Sequence, residues 1–214
     1  MANLNGSFGL RPLSKLGGGA NSTGLTGYSP YEIASDNSDK IYHGQLVIPL
    51  ASGYIDHTAN AAGGTVSHLG VFQGCQYVSS VNGKTIWSNY WPGSGADSDF
   101  PVQAFINDDP SQLYVIATDA SWTSKANARA SVFLNASLST GITGTDSTGL
   151  SLGRLAISTL ATTNSLSLRV LGWVEDEANS DFASAGIGAI VRLNNSFNAP
   201  TGSIAAGTPS TTGV

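Results

Sequence analysis

The chain has 214 residues, and nine Lys and Arg against fourteen Asp and Glu give a net charge of −5. This balance, with scattered basic residues, argues against direct nucleic-acid binding, because phosphate backbones are bound by clustered Lys and Arg. Charged residues make up only 11 % of the chain and hydrophobic residues 41 %, which is the opposite of a disordered composition. We therefore expect one β-rich domain with tails, whose largely neutral surface contacts other protein.

The sequence predicts neither a membrane span nor a secretion signal. It has no apolar run of about 18 residues, the length that a membrane-crossing helix needs. Residues 1–15 lack the basic start and apolar stretch of a signal peptide. The single cysteine, Cys75, cannot form an intrachain disulfide and is expected to be a small buried residue in a strand. We expect a chain that is made in the cytoplasm and stays soluble or joins an assembly there.

Residues 1–30 are rich in Gly and contain two Pro, with little periodicity, which predicts an extended N-terminal arm. Its apolar side chains would anchor the arm on its own body, on a sister subunit or on a larger assembly, and these are Phe8, Leu10, Leu13 and Leu16. The alternative is a floppy terminus. Residues 195–214 are Gly, Ser, Thr, Ala and Pro with almost no charge, which predicts a flexible C-terminal tail.

The body, residues 31–194, contains short runs of β-branched and aromatic residues that are separated by turn residues. Strands at this spacing predict an all-β fold, either a β-barrel or a β-sandwich. The predicted strands span residues 40–50, 69–78, 84–91, 102–106, 112–118, 130–138, 150–160, 165–175 and 186–193.

Turn and helix signals refine this outline. Asn82-Gly83 predicts a hairpin turn between two strands, and the sequence NDDPS at 107–111 predicts a second tight turn. The Gly- and Thr-rich stretch 139–149 predicts a long loop, where the body could divide into two subdomains. The best helical signal lies at 121–133, with Ser121 as its cap, and is weak.

Two features match catalytic motifs only in part. Gly83-Lys84-Thr85 imitates the end of a phosphate-binding P-loop but lacks the glycine five residues before Gly83, so a hairpin is the better interpretation. Asp56-His57 imitates part of a hydrolytic triad, but no GxSxG elbow is present. We therefore predict that the chain has no catalytic residue and is not an enzyme.

The metal-binding signals are equally incomplete. The three histidines, His43, His57 and His68, fit no zinc-ligand spacing. Carboxylates cluster at residues 97 and 99, 108 and 109, and 175–177, and such pairs can bind calcium or serve glycoside hydrolysis. Each cluster lies at a predicted strand end, where acidic side chains solubilise and shape turns. We therefore predict no metal site and no cofactor.

Three aromatic residues, Trp87, Tyr90 and Trp91, lie in one short run and could form a surface patch that stacks on sugars or bases. Strand alternation would put Trp87 and Trp91 on one face and Tyr90 on the other. At least one of these faces is expected to pack in the core.

Four segments, taken in order, resemble one family of proteins. They are NGSFGLRPL within residues 4–13, YHGQLVIPL at 42–50, GVFQGCQYVSSVNGKTIWSNYWPG at 70–93 and INDDPSQLYVIATD at 106–119. This series resembles virion structural proteins of tailed bacteriophages, some of which are similar to capsid cement or decoration subunits. The second half matches only through LRVLGWVED at 168–176.

The resemblance implies a structural protein that binds the major capsid protein on the outer surface of a phage head and forms a homotrimer. Neither nucleic acid nor membrane is expected as a partner. Within the arm, the residues that would bind the capsid or a sister subunit are Phe8, Leu10, Arg11 and Pro12. Arg11 is suited to a bidentate pair with a capsid carboxylate.

Three alternatives to the cement role remain open on the sequence. The first is a head or tail adhesin that binds host glycans through the Trp87–Trp91 region. The second is a phage-borne hydrolase that uses the acidic clusters. The third is a major shell protein, which is disfavoured because no long spine helix is predicted.

Overall fold

The computed structural model describes residues 3–4, 6–16, 27–57, 68–141 and 143–199. Within these ranges the chain forms fifteen short strands, one α-helix and two single-turn 3-10 helices, so the prediction of an all-β fold is confirmed. The strands are β1 (Arg11–Lys15), β2 (Ser29–Ile33), β3 (Leu46–Pro49), β4 (Ile55–His57), β5 (Gly70–Val78), β6 (Thr85–Ser88), β7 (Val102–Asn107), β8 (Gln112–Ala117), β9 (Asn135–Ala136), β10 (Leu138–Ser139), β11 (Gly144–Thr145), β12 (Leu150–Ser151), β13 (Arg154–Leu155), β14 (Leu168–Trp173) and β15 (Gly188–Leu193).

The first main sheet is antiparallel and has the strand order β1-β8-β15-β14-β9. Alternation along its strands buries one face, as in β15, where Ala189, Val191 and Leu193 are buried and the intervening residues are not. Leu10, Tyr114 and Trp122 join the same core. The opposite face of this sheet is only partly buried.

The second main sheet is also antiparallel and has the order β2-β7-β5-β3-β4, with β6 added along β5. Its core contains Phe72, Ile106 and the fully buried Trp91. Leu46 and Val71 of this sheet pack into the core of the first sheet, so the two cores meet at that end. In the described strands each sheet is open, with edge strands at both ends of its order.

The predicted turn at NDDPS connects the two sheets. β7 belongs to the second sheet and β8 to the first, so the strands on either side of the turn do not pair with each other. The Asp109 side chain accepts a hydrogen bond from the Ser111 N–H at 2.7 Å, and the Asp109 carbonyl accepts one from the Gln112 N–H. The carboxylate therefore holds the turn.

The predicted Asn82-Gly83 hairpin is also present and joins β5 to β6. Gly83 has a φ of +66°, a conformation that favours glycine, and its N–H donates to the Ser79 carbonyl. The Asn82 side chain accepts a hydrogen bond from the Lys84 N–H. Lys84 and Thr85 lie exposed at this turn, away from any helix N-terminus.

The helix α1 spans Lys125–Ala130, inside the weak helical signal, but its cap differs from the prediction. Ser124 rather than Ser121 is the N-cap, and its side chain accepts from the Asn127 N–H. The predicted strand at 130–138 is wrong over most of its length, because this helix occupies its start and Phe133 adopts a φ of +74°. Only β9 and β10 remain as short strands.

Several predicted boundaries shift. The arm boundary at residue 30 falls inside β2, and residues 6–16 are extended but packed on the body. At the other end, Asn195 and Ser196 are buried and Ser196 forms a parallel bridge with His68, so the body continues past 194. The predicted tail from residue 200 onward lies outside the described residues.

The stretch 139–149 connects parts of the molecule instead of forming one long loop. It contains β11, and Gly144 lies against the Tyr42 ring so closely that a Cβ would overlap the ring atoms. The Tyr42 hydroxyl donates to the Asp146 carboxylate at 2.6 Å, and the Asn89 amide donates to the Thr148 carbonyl. These contacts attach 144–148 to Tyr42 and Asn89, which lie just before β3 and just after β6 of the second sheet.

Candidate functional site: the N-terminal edge, an aromatic groove and an acidic cavity

The N-terminal candidates Phe8, Leu10, Arg11 and Pro12 do not act as one motif. Leu10 is fully buried in the core of the first sheet, and its N–H donates to the Gly44 carbonyl at 2.9 Å. Pro12 pairs with the buried Tyr114 and is half-buried. Phe8 is also half-buried, whereas Arg11 is exposed, and the Arg11 guanidinium lies 4.5 Å from the centroid of the Phe8 ring. Of the four candidates, Arg11 is therefore the one whose side chain is exposed to a partner.

Gly9 explains why the N-terminal segment packs so closely on the body. Its φ is +68°, and a Cβ at this position would lie 2.8 Å from both the Gly44 carbonyl oxygen and the Ser151 Cβ. A side chain would therefore separate the segment from the body. The resulting close approach lets Leu10 enter the core and positions β1 as an edge strand.

The three aromatic candidates also lie in different environments. Trp91 is fully buried, its indole N–H donates to the Asn37 carbonyl at 3.1 Å, and it packs edge-on against Tyr77. Tyr90 stacks on Tyr42 at 5.6 Å and is half-buried. Trp87 is 69 % exposed. The predicted single patch, and the assignment of Trp87 and Trp91 to one face, are therefore wrong.

Trp87 and Trp91 lie in different environments because the strand β6 ends at Ser88, between them. The Ser88 hydroxyl bonds both the carbonyl and the N–H of Tyr90, which turns the chain before Trp91. Trp91 then bridges to Ile41 instead of continuing β6. Period-two alternation does not extend across such a turn.

Trp87 instead belongs to a groove on the outer side of the second sheet, which we call the aromatic groove. Its ring stacks on Phe105, and the exposed Tyr28 and half-buried Gln73 complete the walls. The cavity measures about 470 Å³. The Gln73 Nε2 atom is buried and has no hydrogen-bond partner in the described part of the chain, so an unpaired polar donor lies in the wall of this mainly apolar groove.

A second cavity, of about 280 Å³, is polar and is lined by Asp39, Lys40, Tyr42, His57, Thr143 and Gly144. One donor atom each of Asp39, Asp56 and His57 lie within 4.8 Å of one another, a spacing that metal ligands share. Asp56 Oδ1 already accepts hydrogen bonds from the His57 backbone N–H and the Asn37 amide, and lies 3.1 Å from His57 Nδ1. The Asp56 hydrogen bond raises the pKa of His57, which favours the imidazolium over a metal ligand.

Asp56-His57 lacks the third member of a hydrolytic triad at this cavity, because no serine lines it among the described residues. The other histidines are apart from it. His43 Nδ1 bonds the Gln73 carbonyl, and His68 is buried with Nε2 at 2.8 Å from the Ser167 hydroxyl. Neither His43 nor His68 therefore completes a triad at this cavity.

The acidic clusters hold turns and neighbouring side chains. Asp97 accepts from the Asp99 N–H, and Asp108 accepts from the Ser29 and Tyr31 hydroxyls. At 175–177 the carboxylates bond a lysine, the indole of Trp173 and the first turn of a 3-10 helix. Each cluster thus has a local structural role.

No family model matches this chain, and neither the curated proteins nor the solved structures include a significant match. Among the described residues, no helix has the length and apolar character needed to cross a membrane.

Proposed function

We propose that the chain is a non-enzymatic cement or decoration protein of a tailed-phage head, which binds the major capsid protein on the outer surface. The observation that carries this proposal is the geometry of β1. Among the described strands β1 pairs only with β8, so its other edge presents backbone N–H and C=O groups without a ladder partner. Leu13 and Leu16, 47 % and 49 % exposed, project from this strand and its end.

An open edge with exposed leucines is a liability for a free protein, because such edges template unwanted pairing. It is explained if a capsid subunit covers the edge in the assembled particle. The sequence GLRP at residues 9–12, which is part of the first segment of the family resemblance, leads into this edge, so the resemblance and the geometry point to the same region of the chain. The low charge of the chain is consistent with an extensive contact to other protein.

The location and the oligomeric state are those that the family resemblance implies, and two physical arguments support them. A chain of net charge −5 is repelled by packaged DNA, which favours the outer side of a shell. A shell built from one repeated subunit has threefold positions, and a homotrimer presents one identical patch to each equivalent site. Clamping several subunits in this way buries area without any catalytic step.

The proposal is tested by adding the purified protein back to heads assembled without it and measuring saturable binding. Leu13→Glu with Leu16→Glu places charge on the β1 edge, and we expect at least a tenfold loss of binding. Val81→Glu is the matched control, because Val81 is 89 % exposed at the β5–β6 turn of the other sheet. Absence of wild-type binding contradicts the proposal.

A second candidate function, a glycan-binding adhesin, is supported by the aromatic groove. Sugars bind by stacking apolar ring faces on exposed aromatics and by hydrogen bonds to side-chain amides, and Trp87 and Gln73 offer both. Titration with host-envelope oligosaccharides should then quench Trp87 fluorescence. Trp87→Ala should abolish binding, and Phe133→Ala, at another exposed aromatic, should not. Unchanged fluorescence with every glycan class eliminates this candidate.

A further inference from the structure

Two arginines lie directly opposite each other on the outer side of the first sheet. Arg169 of β14 is the cross-strand partner of Arg192 of β15, and directly paired residues of antiparallel strands project from the same face. Val170 and Val191, the next residues along each strand, are fully buried in the core. The arginine side chains therefore lie on the face that turns away from the core.

The same face continues to the N-terminal edge. Arg192 pairs with Leu113 of β8, and in the adjacent row Ile190 pairs with Val115, which pairs in turn with Arg11. We call this surface the arginine face. It combines three cations with apolar side chains that are half-buried, and it comprises Arg11, Leu113, Val115, Arg169, Ile190 and Arg192.

Among the described residues, no carboxylate forms an ion pair with a cation of the arginine face. The ion pairs of the described residues join carboxylates to Lys15, Lys40, Lys125 and His57 and include no arginine of this face. Arg11 stacks on Phe8, and Arg169 Nε donates to the Asn135 side-chain oxygen at 3.0 Å. Arg192 Nε is buried and has no hydrogen-bond partner within the described chain.

This arrangement costs stability in the isolated chain. Like charges directly opposite each other in a sheet repel, and a buried donor without an acceptor loses its hydration. Burial and the neighbouring Arg169 both lower the pKa of Arg192, which shows the unfavourable environment of this charge. Arginine nevertheless stays protonated in proteins, so the charge remains available to a partner.

We infer that the arginine face binds an acidic, partly apolar segment of the capsid subunit, with aspartate or glutamate side chains received by Arg169 and Arg192. The inference rests on the proposed cement function and names the chemistry of its partner. Guanidinium groups bind carboxylates through paired hydrogen bonds, and the apolar side chains between them fit a protein surface better than a phosphate backbone. The face adjoins the open β1 edge through Arg11, so one partner can cover both surfaces.

The experiment uses the full chain and heads assembled without it. Arg192→Leu and Arg169→Gln should each weaken binding at least tenfold and flatten its salt dependence, because each removes a charge that meets a carboxylate. Lys84→Gln is the matched control, since Lys84 is exposed on the other sheet and loses the same charge. The melting temperature of Arg192→Leu should equal or exceed that of the wild type, whereas a residue with only a structural role would lower it.

A second variant identifies the partner group. Arg169→Lys places a primary amine on the face, and carbodiimide should then couple it to a carboxylate of the capsid subunit. Mass spectrometry of the adduct should show an acidic capsid peptide. Coupling to a second copy of the chain, or wild-type affinity of both arginine variants, overturns the inference while leaving the cement function intact. Failure of the wild type itself to bind is a failure of the cement function and is recognised before any variant is compared.

Discussion

The indole ring of Trp87 lies parallel to the phenyl ring of Phe105, with 5.6 Å between the ring centroids and 3° between the planes. Phe105 is half-buried in β7, so it fixes an otherwise exposed tryptophan on the outer side of the second sheet. Only four residues further, Trp91 is fully buried in the core below. Of these two tryptophans, Trp87 therefore belongs to the surface and Trp91 to the core.

Replacing each tryptophan by alanine should distinguish the surface position of Trp87 from the core position of Trp91. Trp91→Ala should lower the free energy of unfolding by about 3–5 kcal/mol, because it opens a large cavity in the core. Trp87→Ala should lower it by about 1 kcal/mol, the contribution of one exposed aromatic stack. Urea unfolding followed by circular dichroism measures both. Equal losses for the two variants would show that Trp87 is also a core residue.

Leu10 and Leu13 give a matched test of the N-terminal segment. Leu10 is fully buried, so Leu10→Ala should lower the free energy of unfolding by about 2–5 kcal/mol. Leu13 is 47 % exposed, and Leu13→Ala should change it by about 0.5 kcal/mol or less. An unaffected Leu10→Ala protein would mean that the segment is detached from the body in solution.

His68 should make stability depend on pH. Burial lowers the pKa of His68 from 6.5 to about 4, because the imidazolium is poorly solvated there. Protons then bind mainly to the unfolded chain between these values, so stability is complete above pH 6.5 and is lost as the pH falls toward 4. The loss should reach about 3 kcal/mol.

The measurement for His68 is the free energy of unfolding at several pH values between 7 and 4, for the wild type and for His68→Gln. The variant should lack this part of the pH dependence. His57, whose pKa is raised by its hydrogen bond to Asp56, contributes with the opposite sign and is present in both proteins. Identical pH profiles would contradict the burial of His68.

Cys75 should be unreactive in the folded protein. It is 1 % exposed, and burial raises the pKa of its thiol to about 12, which suppresses the reactive thiolate. Labelling with a thiol reagent at pH 8 should be at least about a hundred times slower than in 8 M urea, because it requires opening of the second sheet. Rapid labelling without denaturant would place Cys75 at the surface.

The sequence predicts the strands and turns that are determined by a local residue pattern. β5, β7, β8, β14 and β15 follow from runs of β-branched and aromatic residues, and the turns at Gly83 and Asp109 follow from turn chemistry. The strands that the sequence pattern did not reveal are β1, β2, β4 and β11. Most are short or rich in turn residues, and their pairing depends on distant partners, as in β1 with β8.

The candidate surfaces were less predictable because they depend on strand pairing. Alternation along β14 and β15 is enough to show that Arg169 and Arg192 are at positions that face away from the core. Only the β14–β15 register places them opposite each other. Likewise, Phe105 and Tyr28 join Trp87 from different parts of the chain. Nothing in the sequence distinguishes Leu10 from Arg11 as a binding residue, because the close approach of Gly9 to the body, which buries Leu10, is visible only in the structure.

The most direct test of the cement function is the copy number and position of this chain in intact phage particles, measured by quantitative mass spectrometry together with a symmetry-averaged electron-microscopy map. For a cement protein we expect copies in numbers comparable to the major capsid protein, seen as outer features at threefold positions, with β1 and the arginine face against the shell. A dozen copies or fewer, located at a vertex or on the tail, would contradict it and favour the adhesin.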